Sequence, residues 1–341
     1  MQIISQPYYN YEGHFRHYTD NLDNLYNHKN LPLKTINLLK VPDKKNLLRF
    51  IFWRFLLAFK NYSYFIRKKP TLIHIVDFEP LSFLLLYLFI NRKIKFIITV
   101  HSVQAGNSLP DKFQKIILMF AFKRLEQRFG GAVLVVHDSE NKRLLNKFLP
   151  KLNVSLINYP GTNFNIKSSN TTPTKLIIFG ALRKDKDPKK FLKICNMSGY
   201  EIEHLGRVDE EIVPHMGKIK FKNEYISKTE IAFKLSEARF ILLPYGEKYK
   251  GGAGPIKDAL VNGIPVLAMG SFRYKTFVQD NKIGFVFNNT VELQNIIRNL
   301  NKREYEEIRN KCIREGSKYT WKAMQEEYSE LVNSQLSIKE H

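Results

Sequence analysis

The residue types best suited to chemistry concentrate between Phe240 and Ala268, in FILLPYGEKYKGGAGPIKDALVNGIPVLA. Gly251, Gly252 and Gly254 give a loop whose backbone, lacking Cβ atoms, can approach a ligand closely. Pro255 suits the first turn of a following helix, where its missing N–H costs nothing. Backbone N–H groups at a helix start attract anions, so phosphate binding is the chemistry this spacing offers. Glycine-rich turns also occur with no ligand, and that reading stands beside the first. His101 is a second candidate, because ligands of parallel α/β sheets collect where strands end. On residue type alone, a lone histidine there is a hydrogen-bonded structural side chain.

These residues need strands and helices to place them. Residues 240–243 form a short apolar run ended by Pro244, as expected of a buried parallel strand. A helix over 256–261 stops at Asn262-Gly263, and 265–268 begin the next strand. The same alternation fills the first half. Strands are expected at 2–5, 71–76, 95–100, 132–136 and 155–158. Helices are expected at 81–90 and 111–129, and through Phe148 with Asp138 or Ser139 as cap. Strands at 175–179, 202–205 and 283–287 continue the pattern, with Ser227 capping a helix and the last helices at 302–315 and 320–336. Strand–helix alternation of this kind predicts doubly wound parallel sheets. The polar stretch NIKSSNTTPT, 165–174, is the best domain boundary.

Residues 46–60, continuing to 69, read as a helix crowded with aromatics, among them Phe52, Trp53, Phe55 and Phe59. Arg49, Arg54, Lys60, Arg67, Lys68 and Lys69 interrupt or flank them. Most of these aromatics are expected to pack beneath a sheet, while the basic flank meets anionic headgroups.

At 341 residues the chain can build two domains, each with its own core. Cys195 and Cys312 stand far apart, which excludes a disulfide framework or thiolate metal site and fits a reducing cytoplasm. Met1 runs straight into a strand-like QIIS, so no signal peptide is expected, and the apolar run 80–90 is too short to span a bilayer. The net charge is +22, with 24 basic against 10 acidic side chains through Asn165 and 30 against 22 beyond it. Such an excess points to an anionic partner or to a solvated Lys-rich surface. No aromatic platform set among glycines marks an RNA-binding module, so nucleic acid is not expected as partner.

The segment PY–GGAGPIKDALVNGIPVLA resembles the C-terminal nucleotide-sugar segment of GT-B glycosyltransferases of the family 4 type. Pro244-Tyr245, Gly254, Ala259, Gly263 and Pro265-Val266 carry the likeness, and Ala253 stands where many members have serine. Gly180-Ala181-Leu182-Arg183-Lys184-Asp185-Lys186 resembles the family's Gly-x-x-Arg-x-x-Lys-Gly loop, with Asp187 in place of the last glycine. Thr99-Val100-His101 resembles its Thr-x-His strand end, with Ser102 where aspartate is common. Tyr159-Pro160-Gly161 resembles its Pro-His-Gly turn without the histidine, and 283–287 its Gly-Phe/Leu-Val strand.

The resemblance implies two Rossmann-like domains facing a cleft. The expected limits are 1–165 for an N-terminal acceptor domain, 166–174 for a linker, 175–310 for a donor domain and 311–341 for a helix crossing back, anchored by Trp321. It implies a retaining, metal-independent transfer of sugar from a nucleoside-diphosphate donor to a cell-envelope glycan or lipid-linked saccharide at the cytoplasmic membrane face. No cofactor is expected. Arg183 and Lys186 would hold the diphosphate, and His101 would contact donor sugar or acceptor. Gly13, in the loop after the first strand, would approach the diphosphate, with His14, Arg16 and His17 as further donors. Tyr245, Gly252, Ala253, Gly254 and Pro255 would line the donor site, and Asp258 would accept from the ribose. Lys250 occupies the family's first glutamate position, so sugar contacts fall to Glu247 or to the backbone of 252–254. Asp185-Lys186-Asp187 also spells the Asp-x-Asp pattern of metal-dependent GT-A enzymes, but it overlaps the phosphate loop and is assigned no metal. The alternative from another class is a non-catalytic protein on this scaffold, binding nucleic acid or an anionic polymer through its basic surface.

Overall fold

The computed structural model describes residues 2–6, 18, 20–22, 24–25, 33–37, 47–68, 70–76, 78, 80–87, 94–101, 109–129, 131–166, 173–224, 226–246, 249, 254–269 and 272–337. The chain forms two compact units, Met1–Asn158 with Met324–His341, and Tyr159–Ala323.

Unit 1 is built on six parallel strands, β1 (Gln2–Gln6), β2 (Leu33–Asn37), β3 (Leu72–Ile75), β4 (Lys95–Val100), β5 (Val133–Val136) and β6 (Asn153–Leu156). Their order is β2-β1-β3-β4-β5-β6. The helices between them are α1 (Leu47–Lys68), α2 (Pro80–Tyr87), α3 (Leu109–Arg128) and α4 (Ser139–Phe148). Side chains alternate across a strand, so Ile73, Phe96, Ile98, Leu134 and Val136 share one face. They join Ala58 of α1, Phe83 of α2, Phe122 of α3 and Leu145 of α4 in one core. Asp138 caps α4, accepting from the backbone N–H of Asn141. β6 begins two residues before the expected strand.

The described aromatics of α1, expected mostly in the core, are divided between core and surface. Trp53 and Leu57 are buried, but Phe52, Phe55 and Phe59 are 63%, 54% and 67% exposed. The helix is longer than the strip of core it covers, and its aromatics are spread around more than the inward face.

Unit 2 has strands β7 (Lys175–Phe179), β8 (Ile202–Leu205), β9 (Lys220–Lys222), β10 (Ala238–Leu243), β11 (Val266–Ala268) and β12 (Gly284–Val286). All are parallel, in the order β12-β11-β10-β7-β8-β9. Its helices are α5 (Lys189–Met197), α6 (Lys228–Ser236), α7 (Gly254–Val261), α8 (Phe272–Asp280), α9 (Thr290–Asn299) and α10 (Lys302–Gly316). Leu176, Ile178, Phe240, Leu242 and Leu267 point to one core, and Ile177, Ile241, Leu243, Val266 and Ala268 to another. Both faces are covered, which is why these strands read as unbroken apolar runs. Ser227 caps α6 by accepting from Glu230 N–H.

The units divide at 158/159, before the polar stretch. Residues 159–164 are held within unit 2: Gly161 N–H donates to Tyr319 O, and Phe164 N–H to Asn262 Oδ1. The last helix, α11 (Trp321–Ser337), enters unit 1 from Met324. There Tyr328, fully buried, bonds to Tyr18 Oη at 2.7 Å and Thr99 Oγ1 at 2.8 Å. Tyr328 anchors this helix in unit 1, and the half-buried Trp321 falls in unit 2.

Candidate functional site

Unit 2 places its candidate residues at a point dictated by topology. From β7 the chain moves outward to β8 and β9, while β10 lies on the other side of β7 and leads to β11 and β12. Adjacent strands whose connections run in opposite directions leave a crevice at their carboxyl ends. The loops after β7 and β10 and the start of α7 meet there.

The loop after β7 opens at Gly180, whose φ of +92° suits glycine, and a Cβ there would stand 3.0 Å from Pro255 Cγ at the start of α7. Gly180 O accepts from His204 Nε2 at 2.9 Å, which ties the loop to β8. A 3-10 turn, Lys184–Lys186, follows, with Asp209 Oδ2 accepting from Lys184 N–H. Asp187 closes it at φ +50°, in the left-handed region where the resembling motif has glycine.

Arg183 and Lys186 differ sharply in setting. Arg183 is half-exposed and forms a two-pronged ion pair with Asp185, at 3.0 and 2.9 Å. Lys186 is 6% exposed; its ammonium donates to Ala181 O and lies 5.1 Å from the centroid of the Tyr245 ring. Burial, with help from the Arg183 charge, lowers its pKa to about 8. Asp185 serves Arg183, and among the described residues no cluster of His, Cys, Asp or Glu could hold a metal ion.

The loop after β10 locks onto this turn. Gly246 N–H donates to Lys186 O at 2.8 Å. A Cβ on Gly246 would stand 2.7 Å from Asp187 Oδ2 and would also overlap the Asp187 carbonyl, so the close approach depends on glycine. Tyr245 is buried and stacks on Tyr249 at 4.9 Å. Within the loop it supports Lys186 with its ring face.

In α7, Gly254 and Pro255 form the first turn, and Asp258 is buried. The Asp258 carboxylate accepts from Thr162 N–H at 2.6 Å, and Asn262 Nδ2 donates to Thr162 O at 2.7 Å. Asp258 therefore has a place in clamping the 159–164 turn to α7. Burial outweighs these bonds and raises its pKa from 3.8 to about 6. A raised folded-state pKa means the fold keeps this proton longer than the unfolded chain does. Stability from this group is complete below about pH 4 and is lost as pH rises through about 6. Asp258→Asn, which keeps an acceptor for Thr162, should therefore raise the melting temperature at pH 7.5, and the gain should be much smaller at pH 4.5. An equal shift at both pH values would exclude Asp258 as its source.

His101 belongs to unit 1. Its Nε2 donates to Val76 O at 3.0 Å, tying the end of β4 to the end of β3. Because a carbonyl can only accept, Nε2 carries the proton and Nδ1 is an acceptor. Its ring lies 5.2 Å from that of His137, and Tyr18 packs edge-on to both. Burial lowers the His101 pKa to about 4 and that of neighbouring His74 to about 3, so both are neutral at physiological pH.

Gly13, Glu247, Gly252 and Ala253, with His14, Arg16, His17 and Lys250, lie outside the described residues. Sequence reasoning missed His204, Asp209, Gly246 and the Thr162–Asn262 clamp. Gly206 directly after β8 was the available signal for His204, since it marks a second loop at the same sheet edge.

Residues 247–323 match the model of the glucosyltransferase 3-like C-terminal domain. Compared by sequence with curated proteins, the chain matches none. Sucrose-phosphate synthase from Thermosynechococcus elongatus is similar in structure, with a TM-score of 0.72 at 14% identity over 99% of both chains. A glycosyltransferase from Rickettsia africae has a TM-score of 0.65 at 15% identity, again over 99% of both chains. Anabaena HepE in complex with UDP-glucose has a TM-score of 0.65 at 13% identity, over 98% of this chain and all of that one. The fold is that of the GT-B glycosyltransferases, two parallel-sheet α/β domains.

Proposed function

We propose that this protein transfers a sugar from a nucleoside-diphosphate donor to a cell-envelope glycan or lipid-linked saccharide, retaining anomeric configuration and using no metal. The observation that carries the reading is Lys186, a buried ammonium held where β7 and β10 diverge, with Arg183 on the same turn. Departure of a nucleoside diphosphate builds charge on its phosphate oxygens, and fixed cations in a poorly solvated site stabilise that charge. Arg183 and Lys186 take this role, so no metal is required. The start of α7 at Gly254 and the backbone of Gly252 and Ala253 supply N–H groups to phosphate and sugar, while Pro255, which has none, lines the site beside them. Asp258 accepts from the ribose, Tyr245 supports Lys186, and Glu247 stays outside the chemistry. His101, neutral and with Nδ1 as an acceptor, serves the donor sugar or acceptor hydroxyl, and Gly13 approaches the diphosphate from the first strand's loop. The likeness to HepE, which was solved with UDP-glucose, supports a nucleotide sugar as donor.

The test is a thermal-shift screen of UDP-, GDP-, ADP- and CMP-sugars in the presence of excess EDTA. One donor class should raise the melting temperature by several degrees, since ligand at a hundredfold excess over Kd stabilises by about 2.7 kcal/mol. Slow hydrolysis of that donor should accompany the shift. No shift with any donor, together with a shift by an oligonucleotide or anionic polymer, would replace this reading with the non-catalytic one.

A further inference from the structure

Helix α1 presents an outward face that the core does not use. Phe52, Phe55, Leu56 and Phe59 are all exposed. At 3.6 residues per turn they fall within about 100° of arc, a single stripe. Arg49, Lys60 and Arg67, also exposed, line up along one border of it, about 60–80° from Phe52. The 22 residues of α1 include no aspartate or glutamate. A phenylalanine side chain offers roughly 150–250 Å², so the three rings expose an apolar area on the order of 300 Å², the scale of the largest and often functional patch on a typical monomer.

A second patch of exposed apolar and basic side chains lies on α3. α1 packs on α2 and α2 on α3, all over the same face of the unit 1 sheet. On α3, Ile116 and Phe120 are 66% and 47% exposed, one turn apart, among exposed Lys115, Lys123 and Arg124. The Arg124 guanidinium lies 5.0 Å from the Phe120 ring centroid, so the cation and the apolar side chain are presented together. No helix among the described residues is long and apolar enough to cross a membrane.

We propose that the α1–α3 face docks unit 1 on an anionic lipid bilayer, with α1 lying in the plane of the interface. The Phe52, Phe55 and Phe59 rings enter the acyl boundary, and Arg49, Lys60 and Arg67 meet the phosphate and carboxylate headgroups. Charge decides this occupant over a second copy of the chain. A second copy would bring another Arg49, Lys60 and Arg67 to the contact, with no acidic residue of the helix to offset either set. The proposal does not rest on the donor-site reading, and its test uses no sugar nucleotide.

The experiment is flotation of the full chain with vesicles of phosphatidylcholine alone or with about one-third phosphatidylglycerol. Binding should require the anionic lipid and fall at least tenfold between 50 mM and 500 mM salt, as screening of surface charge demands. F52S/F55S/F59S should lower the bound fraction at least tenfold with an unchanged melting temperature, because these side chains are exposed. R49Q/K60Q/R67Q should weaken binding and flatten its salt dependence. Binding by the Phe variant equal to wild type, or equal recovery with neutral vesicles, would overturn the proposal. So would a concentration-dependent dimer that the Phe variant dissolves, which would make a second copy the occupant. Binding to single-stranded RNA that falls with the Phe substitutions, without vesicle binding, would assign the face to nucleic acid.

Discussion

Lys186→Met is expected to lower kcat/KM for the nucleotide-sugar donor by roughly 10²–10³-fold, the effect of removing one preorganised charge donor from a developing anion. Methionine keeps the apolar length that packs over Tyr245, so the fold should survive and the loss report charge alone. Arg183→Ala should cost less, about tenfold, because Arg183 is half-exposed and already shares its charge with Asp185. The pKa of Lys186 supplies a second readout. In the free protein it is lowered to about 8, so raising the pH past that value discharges the site. Values of kcat/KM should fall along an alkaline limb near pH 8, while kcat holds to higher pH because a bound diphosphate favours the charged lysine. Lys186→Met should lack that limb. A variant that retains both activity and limb would remove Lys186 from the reaction.

Why the donor loops were legible in the sequence, and the helix surface was not, follows from the forces involved. Strands β7 and β10 are buried on both faces, so they must be apolar runs and must end in turn residues; Phe179-Gly180 and Leu243-Pro244 announce themselves. The edge strand β9 is three residues long with exposed Lys220 and Lys222, and nothing in KFK separates it from a loop. β2, LKTIN, is as short on signal. The position of β6, two residues earlier than read, reflects a boundary set by pairing with β5 through Val133↔Asn153 rather than by local composition.

Burial of individual side chains was harder to read. In α1 aromatics occur on both faces, and composition cannot say which face meets the sheet; only the positions of Trp53, Leu57 and Ala58 against the core decide it. The same limit applies to Arg183 and Lys186. Three residues apart on one short turn, they look equivalent as a basic pair, yet the 3-10 geometry sends one to solvent and the other over the Tyr245 ring. Asp258 looked like a free carboxylate, because its partner Thr162 lies 96 residues away. Contacts at that sequence distance leave no local trace in either segment.

Gly246→Ala is expected to disrupt unit 2 at the junction of the two donor loops. Its Cβ would overlap both the carbonyl and the side chain of Asp187, and the Gly246 N–H to Lys186 O bond would have to lengthen. Overpacking against backbone costs about 1–3 kcal/mol, and loss of a buried hydrogen bond adds roughly 1 kcal/mol. The melting temperature of the chain should fall by several degrees. Gly131→Ala, whose Cβ would meet nothing within 4 Å, is the control and should be silent. Asp187 sits at φ +50°, so Asp187→Gly alone should be neutral or stabilising, since glycine takes that conformation without strain. The double variant should then recover part of the Gly246→Ala loss, because removing the Asp187 side chain clears one of the two overlaps and leaves the carbonyl. Partial rescue of this kind is the non-additivity expected of residues in contact. Donor affinity should follow the same order, single variant weakest and double variant intermediate, because displacing Gly246 drags Lys186 from its place over Tyr245. Gly246→Ala with wild-type melting and donor affinity would show that the two loops are not coupled.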